Sequence, residues 1–165
     1  MAQKEKNEAL FAAVSQGDLE AVKKLIASGA QADAKNYFGN QPLHHAAWHG
    51  HLPVVEYFIE ERGAQVDAKD KGDDQPLHHA AGSGCLSVVK YLVGERGARA
   101  DVKNNADKTP SELAGNHPEI QKFLQEWASP EKAEKRRWDG FGKMAAGVIA
   151  RQRQLGSLRQ KGPTI

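Results

Sequence analysis

The segment Gln41-Pro42-Leu43-His44-His45-Ala46-Ala47 returns 34 residues later as Gln75-Pro76-Leu77-His78-His79-Ala80-Ala81, and Thr109-Pro110 stands a further 34 along. Gly50 and Gly84 keep the same offset, as do Leu52 and Leu86, Val54-Val55 and Val88-Val89, Tyr57 and Tyr91, and Gly63-Ala64 and Gly97-Ala98. A unit of this length cannot bury its own apolar face. It must stack on copies of itself, so the period sets the architecture before any other feature is read.

Each copy reads as turn, helix, turn, helix. Proline after a polar residue suits the first helical turn, where its missing N–H is no loss and its fixed φ is already helical. Leu-His-His-Ala-Ala then predicts a short helix whose alanines let neighbouring backbones approach, and Gly50 and Gly84 suit the left-handed residue that ends it. From Leu52, the residues Val55, Phe58 and Ile59 recur at helical spacing, and Leu86, Val89, Leu92 and Val93 repeat the pattern. The stretches Val66–Asp70 and Ala100–Asn104 are too short for helices and rich in turn formers, so they are expected to be extended turns.

Proline-leucine-histidine followed by alanines, then glycine and a valine-rich second helix, closely resembles the ankyrin repeat. The resemblance runs from about Asn7 to Trp127 and implies an all-α solenoid of about four repeats, helix-turn-helix units joined by β-hairpin-like loops. The repeats are placed at about 7–36, 37–70, 71–104 and 105–127, with a basic C-terminal arm over 128–165. The first copy lacks the leading turn, and Gly115-Asn116-His117-Pro118 shortens the fourth, as capping repeats do. The family's usual period is 33, so 34 places one extra residue near Glu60-Glu61-Arg62 and near Gly94-Glu95-Arg96, predicting a longer, charged end to each second helix. The turn glycine persists as Gly39 and becomes Asp73 and Asp107, which tolerate positive φ better than most residues. His45 and His79 stand where the family often has leucine.

Six of the seven histidines form two clusters, His44, His45, His49 and His51, and His78 and His79. The i, i+4 spacing of His45 and His49 is compatible with a metal site to which stacking adds His79, but no cysteine or carboxylate completes a ligand set at a recognised spacing. The resemblance implies that His44 and His78 instead hydrogen-bond neighbouring turns. No metal and no cofactor is expected. No glycine-rich phosphate loop, nucleophile elbow or HExxH is present, so the chain is not read as an enzyme and no small-molecule substrate is expected. The lone Cys85 leaves no disulfide framework and reads as a small packed residue.

Ankyrin domains usually hold a partner across the hairpin tips and the inner, first-helix surface. Carried onto this chain, those positions are Lys35, Tyr37, Phe38, Asn40, Trp48 and His49 in the second repeat, Lys69, Lys71, Asp74, Gly82 and Ser83 in the third, and Asn105 and Lys108 in the fourth. Tyr37, Phe38 and Trp48 stand out because scaffold packing does not demand three aromatics there, and aromatics dominate interface hot spots.

After Trp127 the charge balance reverses. Residues 128–165 hold nine Lys or Arg against three Asp or Glu, which leaves 14 basic and 18 acidic residues in 1–127. An acidic repeat region therefore carries a basic arm, in which Lys135, Arg136, Arg137, Trp138, Phe141, Arg151 and Arg153 are the candidate contacts. Ser129-Pro130-Glu131 suits the start of a short basic helix over Pro130–Arg137 and Lys143–Leu155 a second, but the latter contains Gly147 and is too short to be stable alone, so most of the arm is expected to be disordered in isolation. No apolar run reaches the roughly 18 residues of a membrane span, and the polar start Met1–Glu8 lacks a signal-like stretch, so a cytoplasmic protein is expected, with nucleus and organelles open. The function expected is that of an adaptor or structural subunit in a multi-subunit assembly, binding one protein through the repeats and a second surface through the arm. The alternative is a nucleic-acid-associated subunit of a ribonucleoprotein or chromatin assembly, anchored by the basic arm.

Overall fold

A computed structural model describes residues 2–129, and the readings for the arm from Pro130 to Ile165 lie outside the described residues. Eight helices run in chain order: α1 Gln3–Gln16, α2 Leu19–Ala27, α3 Pro42–His49, α4 Leu52–Glu56, α5 Pro76–Gly82, α6 Leu86–Gly94, α7 Pro110–Leu113 and α8 Pro118–Ala128. In the compact unit that runs to Gln125, α1, α3, α5 and α7 pack successively in an inner row, and α2, α4 and α6 in an outer one. The inner row is held by Leu10, Leu43, Ala46, Ala47, Leu77, Ala80, Ala81 and Ala114, all fully or almost fully buried. Val22, Val54, Val55, Phe58, Val88, Val89 and Leu92 form the outer seam, while Ile59 and Leu86 are only half-buried. Val54 and Val88 thus pack where the periodic reading emphasised their neighbours. Helix α1 begins at Gln3, ahead of the repeat boundary expected near Asn7.

Pro42, Pro76 and Pro110 each open a helix, as their fixed φ dictates. Gly50 and Gly84 take φ of 74° and 84°. Each also underlies the next repeat: a Cβ at Gly50 would lie 2.7 Å from Cys85 Sγ, and one at Gly84 2.6 Å from the His117 ring. Cys85 is therefore a packing residue in the place that His51 occupies one repeat earlier. The extra residue of the 34-residue period is absorbed where expected. In the first copy Ala30 N–H closes on Leu25 O, whereas in the second and third Ala64 closes on Phe58 O and Ala98 on Leu92 O, one residue wider. The widened end of α4 continues as a π-helical turn over Tyr57–Glu61. The charged residues it carries are used, since Arg96 bonds both Glu60 and the Tyr91 hydroxyl across the two outer helices.

The loops between repeats form no strand among the described residues. They are hairpin-like in their hydrogen bonding alone. Asn36, Asp70 and Asn104, spaced by the period, each close a turn: Asn36 N–H meets Asn40 O at 3.0 Å, Asp70 meets Asp74 at 3.1 Å and Asn104 meets Lys108 at 3.0 Å. Each Oδ1 also accepts two amide bonds from within its loop, at Phe38 and Asn40, at Gly72 and Asp74, and at Ala106 and Lys108. Gly39, Asp73 and Asp107 hold positive φ, as the change from glycine to aspartate predicts. Successive loops then stack through Lys71 N–H to Phe38 O at 3.0 Å and Asn105 N–H to Gly72 O at 2.9 Å.

Two buried imidazoles tie these loops to the helices. His44 Nδ1 accepts from Gln41 N–H at 3.2 Å, which fixes the proton on Nε2, and that proton is given to Ala68 O of the next loop at 3.0 Å. His78 repeats the arrangement, with Gln75 N–H at 3.1 Å and Val102 O at 3.1 Å. The implied structural role of both histidines is thereby met. Burial, assisted by the neighbouring His79, lowers the His44 pKa to about 4, and burial likewise lowers that of His78.

Two tests follow from this packing. Gly84→Ala and Gly97→Ala both force a side chain into positive φ, at about 1–2 kcal/mol, but only Gly84 also faces a close neighbour, whereas nothing lies within 4 Å of a Cβ at Gly97. Thermal melting should therefore show the larger loss of Tm for Gly84→Ala; equal losses would contradict the packing. Because the folded pKa of His44 lies below the unfolded value of 6.5, its neutral form stabilises the fold fully above pH 6.5 and that contribution fades as pH falls towards 4. A displacement of that size corresponds to about 3 kcal/mol. Chemical denaturation from pH 7.5 to 4.5 should show stability falling below pH 6.5, with a shallower slope for His44→Gln; parallel curves would remove His44 as the cause.

Candidate interaction surface

The residues read from the sequence as partner contacts fall on the loop tips of the second, third and fourth repeats and on the inner helices of the second and third. Tyr37, Phe38 and Trp48 are 82%, 65% and 50% exposed, far beyond what large apolar side chains with a packing role require. Tyr37 and Phe38 meet edge to face at 5.4 Å between ring centroids. Lys71 of the next loop donates to Tyr37 O at 2.6 Å and rests its ammonium 4.8 Å from the Tyr37 ring centroid, so the exposed Tyr37 is held in place.

Phe38, Asn40, Trp48 and His49 converge with Asn36, His44, His45 and His79 on one concavity of about 340 Å³. Its base is built by the repeat. His45 Nε2 lies 3.0 Å from Asn36 Nδ2, and His79 Nε2 lies 2.9 Å from Asp70 Oδ2. These are equivalent pairs one period apart, but they differ in hydrogen-bond sense. Because Asn36 Oδ1 is taken by backbone amides, its Nδ2 donates and His45 Nε2 accepts, leaving the proton on Nδ1; Asp70 has no donor, so His79 Nε2 carries the proton. Burial lowers the His45 pKa, with His49 and His79 adding to the effect. Burial alone would raise the Asp70 pKa, but the bond to His79 and the amides of Gly72 and Asp74 outweigh it and hold the carboxyl below its usual range. The polar residues at the leucine positions thus serve as the link from inner helix to loop. His79 also packs its ring against Trp48 at 6.0 Å and against His44 at 5.4 Å.

The remaining sequence candidates are placed elsewhere. Asp74 Oδ1 accepts from Asn104 Nδ2 at 2.6 Å, joining the third loop to the fourth, and Ser83 Oγ donates to His79 O at 2.8 Å at the end of α5. Neither lines the concavity. Lys35, Lys69, Asn105 and Lys108 are exposed on the loops, with Lys69 paired to Asp73 at 2.8 Å. Gly82 is half-buried near Leu113, which is itself 36% exposed. Lys135, Arg136, Arg137, Trp138, Phe141, Arg151 and Arg153 lie outside the described residues. Asn36, Asp70 and Asn104 escape a reading based on partner-contact positions, although their recurrence at the period, with amide or carboxylate in each copy, is the signal that marks them.

Among the described residues no three His, Cys, Asp or Glu side chains converge to hold a metal ion. His45 and His49 do share a face, at 6.4 Å between ring centroids, but His49 pairs with His51 in a stacked arrangement at 6.0 Å, and His51 Nε2 is bonded to Ser15 O at 2.9 Å. No helix among the described residues is long and apolar enough to cross a membrane. The surface presents aromatic faces, hydrogen-bonding groups and an open concavity, which suits recognition of another molecule.

A family model described as ankyrin repeats (many copies) matches residues 10–59 and 51–93, about half of the chain. No curated protein matches it.

Proposed function

This chain belongs to the ankyrin-repeat family, a family of protein-interaction modules, and from that premise we propose that it is an adaptor or structural subunit whose second and third repeats grip one protein partner. The observation that carries the reading is an asymmetry between copies. The second repeat has Tyr37, Phe38 and Trp48, all exposed, where the third has Lys71, Gly72 and Gly82. A scaffold requirement would recur with the period. A binding requirement need not, and a cluster of exposed aromatics on a positioned loop and helix is the usual mark of an interaction surface. In this reading Tyr37, Phe38, Trp48 and His49 make the principal contacts, Asn40 contributes within the concavity, and Lys71, Asp74 and Ser83 make lesser contacts outside it.

The domain division we propose is a repeat region over 1–127 and a basic arm over 128–165. The arm engages a second surface of the same multi-subunit assembly through Lys135, Arg136, Arg137, Trp138, Phe141, Arg151 and Arg153, which its excess of nine basic over three acidic residues supports. That same charge favours the second reading, a nucleic-acid-associated subunit of a ribonucleoprotein or chromatin assembly, in which the arm contacts phosphates. No catalytic role, cofactor or small-molecule substrate is proposed. The single free cysteine suits the reducing cytoplasm.

Affinity purification from cells, read by quantitative mass spectrometry, tests both surfaces. Trp48→Ala combined with Phe38→Ala should cut recovery of the repeat-bound partner at least tenfold and leave the arm-bound set unchanged, since hot-spot truncations of this kind cost upwards of about 2 kcal/mol. A chain ending at Trp127 should show the converse. Unchanged recovery with both variants would defeat the adaptor reading, whereas nuclease-sensitive recovery whose affinity falls steeply with salt would favour the nucleic-acid reading.

A further inference from the structure

Tyr37, Phe38, Trp48 and Leu113 are the large apolar side chains that stand exposed among the described residues, and they are not scattered. Tyr37 and Phe38 are in ring contact, and Phe38 and Trp48 line the same concavity. The Trp48 ring lies 6.0 Å from that of His79 on α5, and Gly82 stands one turn further along that helix. A Cβ at Gly82 would lie 3.9 Å from Leu113 Cβ on α7. The four side chains thus mark one strip across three successive inner helices. Single exposed apolar residues are ordinary on a protein surface, whereas a contiguous row marks contact with another molecule. Gly82 is the low point of the strip. It follows Trp48 by one period and adds no side chain between Trp48 and Leu113. Its φ lies outside the left-handed region and a Cβ there meets only ordinary van der Waals distances, so neither backbone nor packing calls for glycine. Glycine is also a poor helix residue. Close approach of a bound chain is a reason to have it.

The charge of the concavity narrows what lies on the strip. No carboxylate, lysine or arginine lines it. Asp70, bonded to His79, has both oxygens taken, Oδ1 by the amides of Gly72 and Asp74 and Oδ2 by the imidazole. Burial disfavours the charged forms of His44 and His45. A charged side chain of either sign seated here would lose its water without gaining a counter-ion. Asn36 Oδ1 and Nδ2 and both His44 nitrogens are bonded within the scaffold. The rings of Phe38 and Trp48 remain, and they favour an uncharged apolar group.

Resting on the interaction surface proposed above, we infer that the partner presents an uncharged, apolar segment to this strip. It seats one large apolar side chain between Phe38 and Trp48, passes over Gly82, and places a second against Leu113.

The test is a phage library of random dodecapeptides selected on the full-length chain, with counter-selection on the chain carrying Trp48→Ala and Phe38→Ala. Enriched peptides are synthesised and titrated by calorimetry. The expected peptides carry two large apolar side chains whose replacement by alanine weakens binding at least tenfold each, while replacement of any charged side chain changes it less than twofold. Gly82→Gln should weaken binding at least fivefold without lowering Tm, since glutamine is the better helix former. Leu113→Ala, at an exposed site, should weaken it at least threefold. No enrichment, peptides that depend on a charged side chain, or affinity indifferent to both Gly82→Gln and Leu113→Ala would each overturn the inference. If Trp48→Ala with Phe38→Ala abolishes partner recovery from cells while the selected peptides fail on these counts, the interaction surface stands and this occupant is refuted.

Discussion

The bond from a buried imidazole to the next loop is the connection on which the rest of this molecule depends. His44 reaches Ala68 O and His78 reaches Val102 O, each while capping its own helix. Both ring nitrogens are thus committed, and protonation would force a donor against the Gln41 or Gln75 amide. The neutral ring is what the packing requires, and burial supplies it. Through these contacts α3 and α5 each fix the height of the following loop. The loop in turn fixes its neighbour through Lys71 to Phe38 and Asn105 to Gly72.

That chain of contacts explains how exposed aromatics come to be held in one place. Phe38 gives its carbonyl to the next loop, its amide to Asn36, and its ring to Tyr37. Trp48 lies at the end of α3, its carbonyl accepting weakly from Cys85 Sγ at 3.5 Å and its ring against His79. Backbones and neighbours that recur with the period position side chains that do not recur. Preorganisation of this kind lowers the ordering cost of association. The scaffold is common to the copies, and the difference between copies carries the proposed recognition.

Much of this was legible in the sequence because it is local or periodic. Proline at the first helical position, glycine at positive φ and its exchange for Asp73 and Asp107 follow from backbone sterics at a single residue. The inner and outer helices follow from the repeat. The placement of Phe38, Asn40, Trp48 and His49 around one space was accessible by carrying family positions onto the copies, but the same procedure also named Asp74 and Ser83, whose polar groups are engaged within the scaffold. What escaped is what depends on two copies at once. The opposite hydrogen-bond senses of His45 and His79 arise from Asn36 against Asp70, and the widened helix end is a π-helical turn in one copy.

The central claim is that partner contact is made by the loop and inner-helix face of the second repeat. A photo-reactive amino acid placed in turn at Phe38 and at Lys90, an exposed position on outer helix α6, measures this directly in cells. Photo-crosslinks to a discrete protein from position 38, with none from position 90, are the predicted result. Crosslinks of equal yield from both positions, or from position 90 alone, would contradict the account.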